Sequence, residues 1–322
     1  MRLATLDHAG PDGVLVVISQ DGERYAPVPG HPTLLGALEQ WASAESAIAR
    51  VVERLAEGGG QALAGQKLAA PLPRTWQWLD ASAYPSHRLL MERLFGVAAP
   101  AEGRPLMYQG LSHRFLSATE DAAFPSEDGG IDFEGEFGVI TDFVPMGTRA
   151  EDASKHIRLI VQINDWSLRA IAPIEMKTGF GWIQAKPACS LAPYAISPDA
   201  LGDDWRDGRV QLPLRVWWNG ALFGAPEGGH MEYGFHELIA HAAATRDLCA
   251  GTLIGSGTVS NSNFREVGSS CIAERRGIEL LDSEAITTPF MAFGDTLRMA
   301  AGREGQESPF GAIDQRVVRA DI

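Results

Sequence analysis

The sequence predicts an α+β, β-rich fold, with a small N-terminal α+β domain over residues 1–66 and a larger domain over residues 67–322 built as a roll or barrel-like core. Three observations carry this. Short apolar runs bounded by Gly, Pro and Asp recur along most of the chain, and helical periodicity is confined to a few segments. Strands do not alternate with helices as a doubly wound parallel sheet requires. The length, 322 residues, suffices for one large core plus an accessory unit, and 45% apolar with 21% charged residues is an ordinary composition for a folded domain.

Residues 2–7, 13–19 and 23–28 are β-rich runs separated by Gly10-Pro11-Asp12-Gly13 and Asp21-Gly22, the pattern of an antiparallel meander. From Thr33 to about Glu57 the residues Leu34, Leu35, Leu38, Trp41, Ile48, Val51, Val52 and Leu55 recur at helical spacing, and Gly58-Gly59-Gly60 ends the run. Beyond Leu72-Pro73 helices are expected at about 85–95, opened by Pro85, at about 149–156 behind a Thr148-x-x-Glu151 capping box, and at about 234–249. Strands are expected at 131–141, 157–164, 210–219, 252–259, 278–282 and 296–300.

With 27 Lys+Arg against 41 Asp+Glu, the net charge of −14 disfavours nucleic acid and anionic membranes as partners. Cys189, Cys249 and Cys271 are an odd number with no CxxC pair, so reduced thiols and a cytoplasmic protein are expected. No apolar leader follows Met1, and the aliphatic run from Ile157 to Ile163 is broken by Arg158 and Gln162, so neither export nor a membrane span is expected.

The most informative segment is Asp132-Phe133-Glu134-Gly135-Glu136-Phe137-Gly138. Alternation along a strand puts Asp132, Glu134 and Glu136 on one face and Phe133 and Phe137 on the other. Acids spaced so closely on a half-buried face need a cation. An exposed acidic strand would serve the same pattern, but two further segments favour a site. The apolar run 157–164 ends at Asp165-Trp166-Ser167, and Trp76-Gln77-Trp78-Leu79 leads to Asp80, with His87 seven residues on. Four carboxylates without a cysteine form a hard-oxygen set suited to Mg²⁺, Mn²⁺ or Ca²⁺ rather than Zn²⁺.

The combination Asp80…His87, Glu134-x-Glu136, Asn164-Asp165-Trp166-Ser167-x-x-Arg169, Lys186 and Gly255-Ser256-Gly257-Thr258-Val259-Ser260 resembles the fumarylacetoacetate hydrolase family over about residues 70 to 300. Residues 1–66 stand where that family has its small N-terminal domain. The resemblance implies a mixed β-roll catalytic domain, a divalent ion (Mg²⁺ or Ca²⁺, with Mn²⁺ as an option) on Asp80, Glu134, Glu136 and Asp165, a homodimer, and hydrolysis of a carbon–carbon bond in a 1,3-diketo acid. It implies His87 as the base for water, Glu274 as the residue orienting that water, and Lys186 at the oxyanion. Tyr108 and Thr258 correspond to substrate contacts. Arg169 has two readings, an ion pair that holds Asp165 and a substrate contact. Structural alternatives stand beside these: Glu274 could pair with Arg275 or Arg276, Lys186 could merely neutralise the acids, and Tyr108 could be a core residue. The same scaffold also serves 2-oxo-acid hydratases, decarboxylases and isomerases. Ala172 and Met176 stand where eukaryotic members carry a glutamine and a tyrosine, and Ser82 where an aromatic residue is usual, so a different acyl pocket is expected.

Other signals carry less. The histidines of His236-Glu237-Leu238-Ile239-Ala240-His241 are five apart, which is off one helical face. Gly110-Leu111-Ser112-His113-Arg114 lacks the last glycine of a nucleophile elbow. Gly255-Ser256-Gly257 lacks a third glycine or a following P-loop lysine, and Cys189 is expected to be packing.

Overall fold

The structure, a computed structural model, describes residues 1–8, 10–96 and 103–322. Among these, two sheets dominate. The larger has eleven strands, running Gln61–Ala62, Arg24–Pro27, Val14–Ile18, Arg2–Leu6, Ala195–Ile196, Ile157–Asn164, Gly135–Thr141, Leu253–Gly255, Trp78–Ala81 and Met107–Gly110, with Ser190–Leu191 pairing Ile157–Asn164 off this path. The smaller has five, in the order Ala221–Gly224, Leu214–Trp218, Thr296–Ala301, Ile313–Arg319 and Ala122–Phe124. Pairing is antiparallel except between Leu253–Gly255 and Trp78–Ala81 and between Ile313–Arg319 and Ala122–Phe124. The side chains packed between them, Phe133, Phe137, Trp166, Leu214, Met299 and Phe310 among others, form the main core. The central run Ile157–Asn164 is buried at every position but Arg158, which is why aliphatic residues stand on both of its faces.

The N-terminal meander extends this same sheet. Arg2 lies opposite Ile196, and Leu3, Leu15 and Val17 pack with Leu34, Leu38, Trp41, Ile48 and Val51 of the helices and with Leu159, Val161 and Ile163. The helix expected over 33–57 is two helices, Leu34–Glu39 and Trp41–Ala56, because Gln40 leaves the helical region at φ −130°. Thr33 caps the first, its hydroxyl accepting from the Gly36 amide.

Several expected elements change. The run 278–282 is not a strand but the end of the helix Ile272–Ser283. The strand expected at 131–141 is interrupted at Phe133–Glu134, leaving Ile131–Asp132 and Gly135–Thr141. The Thr148 box does not form, since the Thr148 hydroxyl donates to the Pro145 carbonyl and the helix Ala150–Ala153 continues as a 3₁₀ turn, Ser154–His156. The later helix is the shorter Phe235–Ala242. Among the described residues no helix is long and apolar enough to cross a membrane.

Candidate active site

Three neighbouring strands of the large sheet bring the carboxylates together. Gly255 lies opposite Gly138 on one side and opposite Asp80 on the other, so a strand with no side chain at that point separates the Asp80 strand from the Glu136 strand. A Cβ on Gly255 would lie 2.5 Å from Asp80 Oδ1 and 2.3 Å from the Trp78 ring, so only glycine fits. Gly257, at φ +76°, turns the chain so that its amide donates to Asp80 Oδ1 at 3.2 Å. Glu136 lies opposite Ile163, and Asp165 follows the end of that strand. The result is a buried triad, Asp80, Glu136 and Asp165, with one carboxylate oxygen from each lying within 4.8 Å of the others.

Glu134 stands beside the triad in a ring of donors. Its Oε1 accepts from Ser167 Oγ at 2.5 Å and Lys186 Nζ at 2.6 Å and lies 3.0 Å from Arg169 Nη2 as an ion pair, and its Oε2 accepts from the Thr258 hydroxyl. Burial alone would raise its carboxyl, but Arg169 and Lys186 outweigh burial and hold it well below the usual range. Lys186 Nζ also donates to Asp165 Oδ2 at 2.5 Å; burial works against its ammonium, yet Asp165 and Glu134 raise it above its ordinary value. Tyr108 donates to the same Asp165 oxygen at 2.7 Å.

Arg169 does not hold Asp165. It pairs with Asp132 and Glu134, at 2.8 and 3.0 Å. Asp132, which strand alternation put on the acidic face, instead accepts from the amides of Ile272 and Ala273 at 2.7 and 2.9 Å, because the interruption of the strand at Phe133–Glu134 turns it away. It thereby anchors the start of the helix that carries Glu274. That helix packs on Pro85–Phe95 through Gly277, next to Leu90, and the pairing sets His87 Nδ1 3.5 Å from Glu274 Oε1. Both groups are buried, and neither His87 Nδ1 nor either Glu274 oxygen has a hydrogen-bond partner.

Sequence reasoning missed two neighbours. Cys189, expected as packing, donates its thiol to Asp165 Oδ1 at 2.8 Å; burial, then the charge of Asp165, keeps it protonated. Trp182 packs edge-on to Tyr108, ring centres 4.6 Å apart, with Lys186 Nζ 5.5 Å and 5.9 Å from the Tyr108 and Trp182 ring centres.

The buried donor set fits a divalent cation. Five buried carboxylates (Asp80, Asp132, Glu134, Glu136, Asp165) face two cations, Arg169 and Lys186. Both oxygens of Glu136 are buried without a partner, and burial, then the charges of Asp80 and Asp165, push its carboxyl well above the usual range. Asp80 is raised likewise, by burial first and then by Asp165. A buried carboxylate with no donor is costly unless a cation completes it. The site opens into a cavity of about 410 Å³ lined by Asp80, His87, Tyr108, Glu134, Arg169, Lys186 and Thr258 on one side.

Sheet and site together define a β-rich domain organised around a buried acidic centre for a cation. The chain belongs to the fumarylacetoacetate hydrolase family. The family profile described as "Fumarylacetoacetate (FAA) hydrolase C-terminal" matches residues 77–318, and "Fumarylacetoacetase N-terminal domain 2" matches residues 1–74. A fumarylacetoacetase of Caenorhabditis elegans is 26% identical over 205 residues, 55% of this chain and 49% of that protein, so the chain spans about half the length of this curated relative. Among solved structures, maleylpyruvate hydrolase from Sphingobium sp. SYK-6 covers 99% of this chain and 100% of its own at TM-score 0.69 and 16% identity. That enzyme is also known in complex with manganese(II) and pyruvate, at TM-score 0.68. A 5-carboxymethyl-2-hydroxymuconate delta-isomerase from Mycobacterium smegmatis covers both chains fully at TM-score 0.63 and 19% identity. These likenesses establish the fold.

Proposed function

We propose that the protein is a cytoplasmic, divalent-metal-dependent hydrolase that cleaves a carbon–carbon bond in a 1,3-diketo acid of the fumarylacetoacetate or acylpyruvate type. The observation that carries this reading is that one cavity is lined both by Asp80, a member of the charge-surplus carboxylate triad, and by His87, which stands against the buried Glu274. Asp80, Glu136 and Asp165 would hold the ion, Mg²⁺ or Ca²⁺ with Mn²⁺ as an option, and Glu134 completes the expected set of four. Such an ion supplies Lewis-acid stabilisation of negative charge on the oxygens of a dicarbonyl.

The chain's own residues do the rest. His87 takes a proton from water, and Glu274, 3.5 Å away, orients the ring and that water. The activated water adds to the acyl carbonyl. Lys186 offers its fixed charge to the oxyanion that forms there, and the Glu134–Asp165 pair keeps it in place. When the carbon–carbon bond breaks, its electrons leave with the pyruvate-like fragment, which is protonated at carbon, and the acyl group departs as a carboxylate. Tyr108, Thr258 and Arg169, all on the cavity wall, would bind the substrate's oxygens and hold the carboxylates in register.

The test is to strip the protein with chelator and restore Mg²⁺, Mn²⁺ or Ca²⁺ in the presence of an acylpyruvate. Loss of the diketone absorbance with equal amounts of 2-oxo acid and carboxylate is expected, and no turnover with any ion would overturn the reading. A second reading, an isomerase or decarboxylase on the same scaffold, is favoured by the isomerase among the solved structures. It would convert the substrate without releasing a carboxylate from the acyl carbon.

A further inference from the structure

The remainder of the cavity wall has a chemistry of its own. Met91, Leu106, Met107, Ala172, Met176 and Trp182 line it, contributed by the helix Pro85–Phe95, the strand Met107–Gly110 and its approach, and the segment after Asp165. On the helix, Met91 and Glu92 follow His87 and Arg88 by one turn, so the apolar wall begins beside the His87 position.

Each cation on this wall already has carboxylate counter-charges. Among the described residues the cavity's cations are Arg88, Arg169, Lys186 and, when protonated, His87. Arg169 is held by Asp132 and Glu134, and Lys186 by Glu134 and Asp165. Arg88 lies between two carboxylates, with Glu232 Oε2 3.2 Å from Nη1 and Glu92 Oε1 4.0 Å from Nε. The Arg88 group therefore carries a net negative charge. Glu92 lines the cavity, and its Oε1 is buried with no hydrogen-bond partner, as is Arg88 Nε. A second carboxylate on a substrate's acyl end would meet this negative group and thioether and indole surface, with no spare cation among these residues.

We propose that the cavity selects a 1,3-diketo acid whose acyl group is apolar and uncharged and rejects one whose acyl group ends in a carboxylate, with Glu92 and the Met91–Met176–Trp182 wall as the specificity determinants. The inference rests on the head-group reading given above, in which the 2-oxo-acid end lies at the carboxylate triad. Each methylene buried on such a wall is worth roughly a factor of four in affinity. Rejection of the charged tail comes from a like charge placed against it, the repulsive half of specificity.

Two probes separate the possibilities: N-pentyl oxamate and N-(4-carboxybutyl) oxamate. They share a 2-oxo-acid head and tail length, and an amide nitrogen stands where a 1,3-diketo acid has the methylene whose bond is cleaved. Calorimetric titration of the manganese-loaded protein should give at least roughly tenfold tighter binding of the pentyl compound. Glu92→Gln should shrink that preference by about threefold or more, and Trp182→Ala should weaken the pentyl compound by about tenfold. Equal or tighter binding of the carboxylate-ended probe to the unaltered protein would overturn this inference alone. If neither probe bound, the head-group reading would fall and the inference with it.

Discussion

Replacing Glu136 by Gln should uncouple metal binding from folding in a way that an ordinary buried carboxylate would not. Glu136 is fully buried, neither oxygen has a partner, and its neighbours Asp80 and Asp165 offer ligand oxygens within 4.8 Å. At an effective dielectric of 20, two unit charges at that distance repel by about 3 to 4 kcal/mol. In the metal-free protein the triad is therefore strained by its own charge, and it takes up a proton where it can. Glu136→Gln removes one charge and introduces an amide that can donate to Asp80 or Asp165, so the metal-free variant should melt at or above the metal-free wild type. The wild type gains stability from the ion by mass action, about 2.7 kcal/mol at a hundredfold excess over Kd. For a chain of this size that corresponds to roughly 5 °C in Tm. Differential scanning calorimetry with and without Mg²⁺ or Mn²⁺, paired with metal content by atomic spectroscopy, should show that rise in the wild type and a flat response in Glu136→Gln. A variant that binds one equivalent of metal and gains the same 5 °C would refute the reasoning.

Three further outcomes follow from the same geometry. Lys186→Met should lower kcat by about 10²- to 10³-fold with little change in KM, the signature of a charge used in the transition state, whereas unchanged kcat with a lower Tm would reduce Lys186 to a counter-charge. Glu279 accepts from the amides and hydroxyls of Thr287 and Thr288; partial burial opposes its ionisation, yet these donors bring its pKa down to about 2 from 4.5. Since the folded value is the depressed one, its contribution is complete above pH 4.5 and is lost as pH falls toward 2, so thermal melts should separate Glu279→Gln from wild type at pH 7 and merge them near pH 2. Finally, the homodimer that the family resemblance implies should scatter light as twice 34.6 kDa at micromolar concentration, and a single 34.6 kDa particle would contradict it.

Local chemistry made part of this legible. Ile157–Asn164 carries aliphatic residues on both of its faces because both are covered, and the strand points directly at Asp165. The meander and the Pro85 helix carry their own turn and start signals. What failed depended on distant partners. The helix Ile272–Ser283 starts at Cys271, whose thiol is a weak cap, and the carboxylate that satisfies its first amides is Asp132, some 140 residues earlier. Without that partner, Ile278-Glu279-Leu280-Leu281 reads as a short strand. The same long-range bond explains why Asp132 left the acidic face. Arg169 was placed near the right acids but paired with Asp132 and Glu134 rather than Asp165, since spacing along a chain does not decide which of several carboxylates a guanidinium reaches. Cys189 and Trp182 gave no signal because their contacts come from sheet pairing and from a loop fold.

The central claim is that a water prepared by His87 adds to the acyl carbon, and isotope transfer tests it most directly. Metal-loaded protein is incubated with an acylpyruvate in H₂¹⁸O, and the products are analysed by mass spectrometry, for the wild type and for His87→Ala. The account predicts a carboxylate carrying one solvent oxygen beside a 2-oxo acid, formed about 10²- to 10⁴-fold more slowly by His87→Ala at unchanged metal content. Carbon dioxide, or a rearranged or hydrated diketo acid with an intact chain, produced at the same rate by both proteins, would contradict it.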